Sequence, residues 1–506
     1  MAQSSYEKRI DYDNNGDTIP MKVQNSRLRR ALSLSFLLNL QSLFLSADAL
    51  CANARIQTSS ERIVPPQSEG GNHNDEAPLG IYVHIPYCRR RCRYCDFAIV
   101  PIGISARDSN ADDRATQGFL RMDHAYRQAL LDELALIQKH SATRKTPVQS
   151  IYFGGGTPSL APVETIAAIL NQIQSSSCFQ LRNDVEITME MDPGTFGLEK
   201  LQALKELGVN RISLGVQSFD DGVLEQIGRV HRSLDISNSL KMIQQVFGEY
   251  PNYSIDLISG LPGTSLANWV ETLEQATKLS PKPTHLSLYD LQIESGTVFD
   301  KWYSERQKQT GITIPSSDDC AFMYKYASGF LRQFGYHHYE ISSYSLPGYR
   351  SRHNQIYWHP RSTWCAIGLG ATSSVNGTRY SRPRAMQDYV HWVKQQQQQQ
   401  YEMMGVPEWM VQDRALDHLD RLTDVIMTRL RTSEGLDLDD VEQEYGQDKV
   451  NRILRGVQLG IDLQLARRIG EEKGRKHGVL RLNDPAGFLF SNSIISSIFV
   501  ELGVES

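Results

Sequence analysis

Short runs rich in β-branched residues alternate with longer amphipathic segments through the middle of the chain. The runs are IYVHI at 81–85, SIYFGG at 150–155, EITMEM at 186–191, RISLGV at 211–216, YSIDLI at 253–258 and HLSLYD at 285–290. Segments of helical length, in which apolar residues recur every three or four positions, separate them, as at 124–140, 163–175 and 266–279. Strands that alternate with helices predict an α/β fold with a parallel sheet. Because no dinucleotide-binding glycine fingerprint follows the first strand, the pattern favours a barrel or partial barrel over a Rossmann sheet.

Changes in composition divide the chain into six predicted segments. They are a targeting segment at 1–55, a linker at 56–79, a barrel at 80–300, a barrel extension at 301–394, a glutamine-rich spacer at 395–414 and a mostly helical, winged-helix-like domain at 415–506. The linker is predicted because its residues are polar and rich in Pro, Gly and Ser. The spacer is predicted because Gln395–Gln400 is a six-glutamine tract, a composition typical of flexible segments.

The start of the chain has the composition of a targeting segment. From Thr18 to Ala47 there is no acidic residue, and Lys and Arg residues precede an apolar run. Asn39 and Gln41 interrupt that run, which falls short of the ~20 predominantly apolar residues of a spanning helix, so no permanent membrane anchor is predicted. Translation from Met21 would give a secretory-like signal or the first half of a plastid signal. An amphipathic presequence would instead indicate a mitochondrion or simple plastid, and a leader without targeting function would leave the protein in the cytoplasm.

Composition excludes several classes of protein. The 58 Asp and Glu residues nearly balance the 53 Lys and Arg residues for a net charge of −5, so no nucleic-acid partner is expected. Apolar residues make up 40% and charged residues 22% of the chain, as in ordinary globular proteins. The chain has only 7 cysteines, unevenly placed, which argues against a disulfide framework.

Three of the cysteines directly follow the first predicted strand. In HIPYCRRRCRYCDF, Cys88, Cys92 and Cys95 have the spacing C-x3-C-x2-C. A structural zinc site uses four ligands, whereas an iron–sulfur cubane held by three thiolates leaves one iron open to a substrate or cofactor. The arginines within 89–93 are expected to lower the pKa of the thiols. A zinc site, or three buried cysteines without metal, is the alternative.

C-x3-C-x2-C after the first strand of a βα barrel resembles the radical S-adenosylmethionine superfamily. In that superfamily S-adenosylmethionine chelates the open iron, and one-electron reduction of the cluster can cleave its sulfonium bond to give a 5′-deoxyadenosyl radical. The resemblance covers roughly residues 80–300. It implies a partial (β/α)6 TIM-like barrel, a 4Fe-4S cluster on Cys88, Cys92 and Cys95, bound S-adenosylmethionine, and an electron donor for the cluster.

Polar residues at the later strand ends make the resemblance more specific. The succession YVHIPYC, GGGTPS, MEMDPGT, GVQSF, GRVH and DLISGLPG is similar to oxygen-independent coproporphyrinogen III oxidase and its relatives. It implies that S-adenosylmethionine is contacted by nine residues, namely Tyr82, Tyr94, Gly155, Gly156, Thr157, Glu190, Gln217, Arg229 and Asp256.

Two features distinguish the chain from the oxidase itself. The oxidase carries a fourth cysteine two positions after the third, and Phe97 stands there in this chain. The second feature is an H-N-x-x-Y-W motif, which resembles the signature of heme chaperones related to the oxidase. A histidine can ligate heme iron and aromatic rings can stack on a porphyrin. The resemblance therefore implies heme binding by His353, Asn354, Tyr357 and Trp358.

Two functions of different classes remain. In the first, the protein is a heme chaperone that binds heme and delivers it to acceptor proteins, while the cluster and S-adenosylmethionine serve regulation, docking or transfer. In the second, it is an enzyme of porphyrin biosynthesis that decarboxylates two propionates of coproporphyrinogen III. Phe97 and the H-N-x-x-Y-W motif favour the first function, so oxidase activity is not expected. A radical enzyme acting on an unrelated substrate is a third possibility.

The expected cluster also bears on location. An exposed iron is oxygen-sensitive and needs a reductant, which conflicts with an oxidising secretory lumen. Heme proteins are assembled in mitochondria and in plastids, and either organelle agrees with the composition of the first segment.

Overall fold

The computed structural model describes residues 78–103, 114–140, 145–305, 313–360, 362–375, 378–402, 418–470 and 476–504. The predicted targeting segment and nearly all of the predicted linker lie outside these ranges. Within them, no helix combines the length and the apolar character needed to cross a membrane.

Strands and helices alternate through most of the described residues. The strands are β1 (Leu79–Ile85), β2 (Tyr87–Cys88), β3 (Val100–Pro101), β4 (Thr146–Gly155), β5 (Phe179–Met191), β6 (Arg211–Gln217), β7 (Tyr253–Ser259), β8 (His285–Asp290), β9 (His337–Glu340), β10 (Ser343–Ser345), β11 (Thr363–Ile367), β12 (Thr372–Val375), β13 (Thr378–Ser381), β14 (Leu436–Asp437), β15 (Ala466–Ile469) and β16 (Val479–Leu482). The helices are α1 (Arg114–His140), α2 (Val163–Gln174), α3 (Leu198–Glu206), α4 (Asp221–Gln226), α5 (Ser233–Phe247), α6 (Leu266–Thr277), α7 (Val298–Glu305), α8 (Ser317–Gln333), α9 (Arg352–Trp358), α10 (Met386–Glu402), α11 (His418–Arg429), α12 (Leu438–Tyr445), α13 (Gln447–Asp462), α14 (Ala486–Leu489) and α15 (Ser491–Leu502).

Six parallel strands form the centre of the fold. They lie side by side in the order β1, β4, β5, β6, β7, β8, and each predicted apolar run falls within one of them. Alternate residues such as Ile151 and Phe153 are fully buried in the main hydrophobic core, which the flanking helices share. The residues between them, such as Tyr152 and Gly154, face the interior of the partial barrel. The predicted α/β partial barrel is confirmed.

The predicted barrel extension continues the same sheet at both edges. On one edge β11 pairs in parallel with β1, and β12 and β13 follow antiparallel. On the other edge β10 pairs antiparallel with β8, and β9 with β10. The central strands therefore have neighbours on both sides, which protects their backbone groups from solvent.

The glutamine tract differs from its prediction. Helix α10 begins at Met386 and runs through Gln395–Gln400, where the sequence predicted a flexible spacer. Tyr389 and Val393 of this helix are buried against the barrel, and glutamine is a good helix former, so a helix anchored by packing continues into the tract. The part of the predicted spacer beyond residue 402 lies outside the described residues.

Residues 418–504 contain the helices α11 to α15 and a three-stranded antiparallel sheet in the order β14, β16, β15. This part contacts the barrel extension through polar pairs. Asp484 accepts hydrogen bonds from Ser328 at 2.7 Å and Arg332 at 2.6 Å, and pairs with His338 Nδ1 at 2.6 Å. Strand β9 and helix α8 thus hold the C-terminal part against the barrel.

Candidate functional site

The three motif cysteines lie on the loop that leaves β1. Cys88 is in β2, Cys92 and Cys95 follow it, and all three are half-buried free thiols. The Sγ atom of Cys88 lies 3.7 Å from Thr157 Oγ1, at the end of the glycine-rich stretch that follows β4. The cysteine loop and the second strand end therefore meet at one rim of the barrel.

Arginines in the cysteine loop hold it to the connection between α4 and α5. The Arg90 guanidinium donates to the carbonyl oxygens of Gly228 at 2.7 Å and Arg229 at 2.5 Å. Arg93 Nη1 donates to Gln226 O at 2.7 Å. These contacts fix the loop backbone, and hence the positions of the sulfur atoms, relative to the end of β6.

The expected effect of these arginines on the thiols was wrong in its net direction. Burial raises the pKa of Cys88 to about 12, and the Asp192 carboxylate adds to the rise. Burial likewise raises the pKa of Cys95 to about 11. Arg90 and Arg229 do lower the pKa of Cys92, but burial outweighs them and the net shift is upward. Thiolates at this site therefore need a cation bound to the sulfur atoms.

Asp192 connects the glycine-rich stretch with the connection between α4 and α5. Its Oδ2 atom accepts hydrogen bonds from Thr157 Oγ1 at 3.1 Å and from Arg229 Nη1 at 2.8 Å. The Nε atom of Arg229 is buried and has no hydrogen-bond partner among the described residues. The sequence prediction did not include Asp192, although its position directly after β5 in MEMDPGT was a usable signal.

Glu190 is the last residue of β5 whose side chain faces the barrel interior, and it lies beside the glycine-rich stretch. Its Oε1 atom accepts a 2.7 Å hydrogen bond from the Tyr152 hydroxyl, and its Oε2 atom accepts one from Gly155 N at 3.2 Å. Gly155 has φ +113°, a backbone conformation that residues with a side chain rarely adopt. In this conformation its N–H points toward the Glu190 carboxylate. Burial raises the pKa of Glu190 to about 7, and the nearby Asp256 adds to the rise.

Asp256 and Gln217 complete the rim on β7 and β6. Asp256 accepts from Ser213 Oγ at 3.1 and 3.2 Å, and burial raises its pKa. Gln217 has φ +65°, an uncommon conformation for a residue other than glycine. A Cβ atom at Gly215 would lie 3.1 Å from both Gln217 Nε2 and Arg229 Nη2, so the amide and the guanidinium are neighbours.

The two predicted tyrosines lie in different surroundings. Tyr94 belongs to the cysteine loop and packs against the cluster of Leu224 and Ile227. Tyr82 lies deeper in the barrel, where its ring stacks on Tyr152 with centroids 6.2 Å apart. The predicted nucleotide contacts other than Tyr82 therefore lie around the carboxyl ends of the strands, together with the cysteines.

The residues at this rim fit a 4Fe-4S cluster and S-adenosylmethionine. Three free thiols are a donor set for three irons. The carboxylates of Glu190, Asp192 and Asp256 suit the sulfonium and ammonium charges of the cofactor, and the buried, unpartnered Arg229 Nε suits its carboxylate. At Gly156 a Cβ atom would meet the Pro86 carbonyl at 2.7 Å, so glycine lets this stretch pack closely against the start of the cysteine loop.

His353 lies at the other end of the barrel interior. It is only 1% exposed, and a Cβ atom at Gly80, near the start of β1, would lie 3.3 Å from its ring. Its Nδ1 atom is hydrogen-bonded to Ser150 Oγ at 2.8 Å and its Nε2 atom to the Tyr357 hydroxyl at 2.9 Å. Burial lowers the pKa of His353 to about 3, so the ring is neutral. In this position neither ring nitrogen is available to an iron atom.

The rest of the H-N-x-x-Y-W motif is closer to the surface. Asn354, Tyr357 and Trp358 are half-buried on α9, and the edge of the Tyr357 ring meets Trp364 with centroids 5.0 Å apart. The structure thus separates the predicted heme residues from the predicted nucleotide contacts other than Tyr82. Tyr82, whose ring stacks on His353, lies with Tyr152 between the two groups and not at the rim.

Comparisons with known proteins identify the family and the fold. The Radical SAM superfamily matches residues 82–276, and the HemN C-terminal domain matches residues 416–467. Coproporphyrinogen III oxidase HemN from Escherichia coli is a structural neighbour with a TM-score of 0.63, covering 84% of this chain and 91% of its own. At 22% identity that likeness shows the fold alone.

Curated relatives are more specific. The heme chaperone HemW of Synechocystis is 36% identical, over 84% of this chain and 97% of its own length. The heme chaperone HemW of Escherichia coli is 33% identical, over 59% of this chain and 70% of its own. A mitochondrial radical S-adenosyl methionine domain-containing protein 1 from Bos taurus is 30% identical, over 73% of this chain and 78% of its own. The chain therefore belongs to the HemW family within the radical S-adenosylmethionine superfamily.

Proposed function

We propose that the protein is a heme chaperone, which binds heme and transfers it to an acceptor protein while carrying a 4Fe-4S cluster and S-adenosylmethionine. The observation that carries this proposal is the similarity to a heme chaperone HemW along 97% of that relative's length. Phe97 supports it as well, because it stands where the oxidase carries a fourth cysteine and a phenyl ring supplies no thiol. Coproporphyrinogen III decarboxylation is the alternative function.

At the cysteine rim, Cys88, Cys92 and Cys95 would hold three irons of the cluster. When bound, the cluster supplies an electron and an open iron that binds the amino-acid end of S-adenosylmethionine. The chain's own contribution is orientation and charge. Arg90 fixes the cysteine loop, and the buried Glu190 carboxylate presents negative charge to the cationic cofactor. An external electron donor is then a required partner.

At the opposite end, His353 would ligate heme iron after α9 moves away from the barrel. Displacement of α9 takes the imidazole away from Ser150, and the ring must also turn away from the Tyr357 hydroxyl, which lies on the same helix. The observed heme affinity is then reduced in proportion to the fraction of molecules in which the helix is displaced. In the docked position the ring is already neutral, because burial lowers the pKa of His353 to about 3. Asn354, Tyr357 and Trp358 lie on the same short helix and would accompany His353 to the porphyrin.

A heme titration on anaerobically reconstituted protein tests this function. We expect a Soret shift that saturates with heme, and we expect His353→Ala to weaken binding by tenfold or more because it removes an iron ligand. His391→Ala is the matched control, since His391 is an exposed histidine on α10 that should leave the titration unchanged. Conversion of coproporphyrinogen III to a decarboxylated product would contradict the proposal.

The affinity for S-adenosylmethionine should depend on pH through Glu190. Its pKa is raised to about 7, so it is mostly protonated at pH 6 and must lose that proton to attract a cation. We expect the Kd to fall about tenfold from pH 6 to pH 8, measured by calorimetry, because the ionised fraction rises by about that factor. Glu190→Gln should give a flat, weaker profile, while Glu164→Gln on the exposed face of α2 should keep the wild-type profile. A flat wild-type profile would contradict this role of Glu190.

We also propose that residues 1–55 direct the chain to a mitochondrion or plastid. The basic, acid-free composition from Thr18 to Ala47 supports this, and the name of the Bos taurus relative describes that protein as mitochondrial. A fluorescent protein fused to residues 1–55 should enter one of these organelles. Cytoplasmic fluorescence would show that the leader is not functional.

A further inference from the structure

Tyr152 touches both of the separated sites. Its hydroxyl donates to Glu190 Oε1 at 2.7 Å, at the predicted nucleotide site. Its ring stacks on the His353 ring, with centroids 4.9 Å apart and planes at 22°. Ser150 lies two residues before Tyr152 on the same face of β4, and its Oγ atom is hydrogen-bonded to His353 Nδ1 at 2.8 Å. One strand, β4, therefore contacts Glu190 and also positions the histidine of α9.

The neighbouring strand makes a second pair of connections. Glu186 on β5 accepts hydrogen bonds from the backbone N–H groups of Arg352 and His353, both at 3.2 Å. Glu190 lies four residues further along the same strand, so it is on the same face. The buried Glu186 carboxylate thus fixes the start of α9 against the strand that carries the nucleotide-site carboxylate.

The space between the two sites is filled by aromatic rings. Tyr82 stacks on Tyr152 and also lies over His353, with centroids 6.2 and 6.4 Å apart. Both tyrosines are nearly fully buried, and a close-packed interior transmits a displacement rather than absorbing it. His353 cannot leave the barrel without removing one side of the packing around Tyr152.

We propose that Tyr152 is a positioning residue that couples the two sites, so that S-adenosylmethionine bound at Glu190 holds α9 against the barrel and weakens heme binding by His353. The coupling rests on the proposed function, because it needs both ligands. A cationic cofactor keeps Glu190 ionised, and the hydrogen bond from Tyr152 to a carboxylate is stronger than to a neutral acid. A fixed Tyr152 ring in turn favours the docked His353. By linkage, bound heme must weaken the binding of S-adenosylmethionine by the same factor.

This coupling would give the cofactor a role that requires no cleavage. Heme would load when the nucleotide site is empty and α9 is free to move. Binding of S-adenosylmethionine would then return His353 to the barrel and favour release of heme to an acceptor. The direction of transfer would follow from the cofactor's preference for the docked helix.

Heme affinity measured with and without the cofactor tests the coupling. In the reconstituted wild-type protein we expect saturating S-adenosylmethionine to raise the heme Kd about 5- to 10-fold, within the usual range of coupling between sites. Tyr152→Phe keeps the ring stack but loses the hydroxyl, so the ratio should fall to about 1. Tyr253→Phe is the matched control, because it also removes a buried hydroxyl donor, bonded there to Pro281 O, and should keep the wild-type ratio.

Hydrogen exchange provides a second readout that needs no heme. The cofactor should slow exchange of the α9 amides in the wild-type protein and in Tyr253→Phe, but not in Tyr152→Phe. An unchanged heme Kd ratio in Tyr152→Phe, or no effect of the cofactor on heme in the wild type, would overturn the coupling. Titrations with each ligand alone separate this from failure of the proposed function. If heme does not bind, or binds independently of His353, the proposed role of His353 in heme binding and the coupling fail together. If each ligand binds normally alone but neither affects the other, only the coupling is refuted.

Discussion

Cys92→Ser should remove the cluster and, with it, the binding of S-adenosylmethionine. A 4Fe-4S cluster contributes ~4 irons and ~4 acid-labile sulfides per chain, and we expect both to fall near zero in the variant. A serine hydroxyl is a poor ligand for these irons, and three ligands leave no spare thiolate. The open iron disappears with the cluster, so the affinity for the cofactor should fall by a factor of about 100 or more.

The measurement is an iron and sulfide analysis of protein handled without oxygen, followed by calorimetry with the cofactor. Cys320→Ser is the matched control, because Cys320 is also a half-buried free thiol but lies on α8 beside Gly260. It should retain full iron content. Zinc in place of iron in the wild-type protein, or iron retained in Cys92→Ser, would refute the assignment of the three cysteines.

The central strands and the cysteine rim could be predicted because both depend on local patterns. Each β-branched run is long enough to form one strand, and in a parallel sheet all carboxyl ends meet at one edge. Glu190 and Asp256, 66 positions apart in the sequence, therefore come together without any knowledge of side-chain contacts. A motif of closely spaced cysteines is likewise a local feature and keeps its meaning when the loop folds.

Features that depend on the direction of a side chain could not be predicted in this way. Arg90 lies beside cysteines in the sequence, yet its guanidinium points to the carbonyls of Gly228 and Arg229. His353 belongs to a recognisable motif, but the motif does not reveal that α9 enters the barrel and uses both ring nitrogens. These outcomes are decided by tertiary packing between segments far apart in the chain.

The same limit applies to Glu133, which no sequence pattern marked. On α1, its Oε1 atom accepts a 2.7 Å bond from Arg382 Nε, and its Oε2 atom accepts from Tyr389 OH at 2.6 Å and Gly368 N at 3.0 Å. The two charged side chains are only 2% and 3% exposed. Gly368 follows β11, and Arg382 and Tyr389 also belong to the predicted barrel extension, so this network joins the barrel extension to α1.

Arg382→Ala should therefore lower the free energy of unfolding by about 3–5 kcal/mol, because it leaves the Glu133 carboxylate buried without its cation. Denaturant unfolding followed by circular dichroism measures the change. Lys278→Ala is the control, since it breaks an exposed pair with Glu274 and should change stability by about 1 kcal/mol or less. Replacing both Glu133 and Arg382 with methionine should recover only part of the loss. No buried charge is then uncompensated, but the Tyr389 hydroxyl and Gly368 N lose their acceptor. Equal effects of Arg382→Ala and Lys278→Ala would mean that water reaches Glu133, and that this network does not hold the extension to α1.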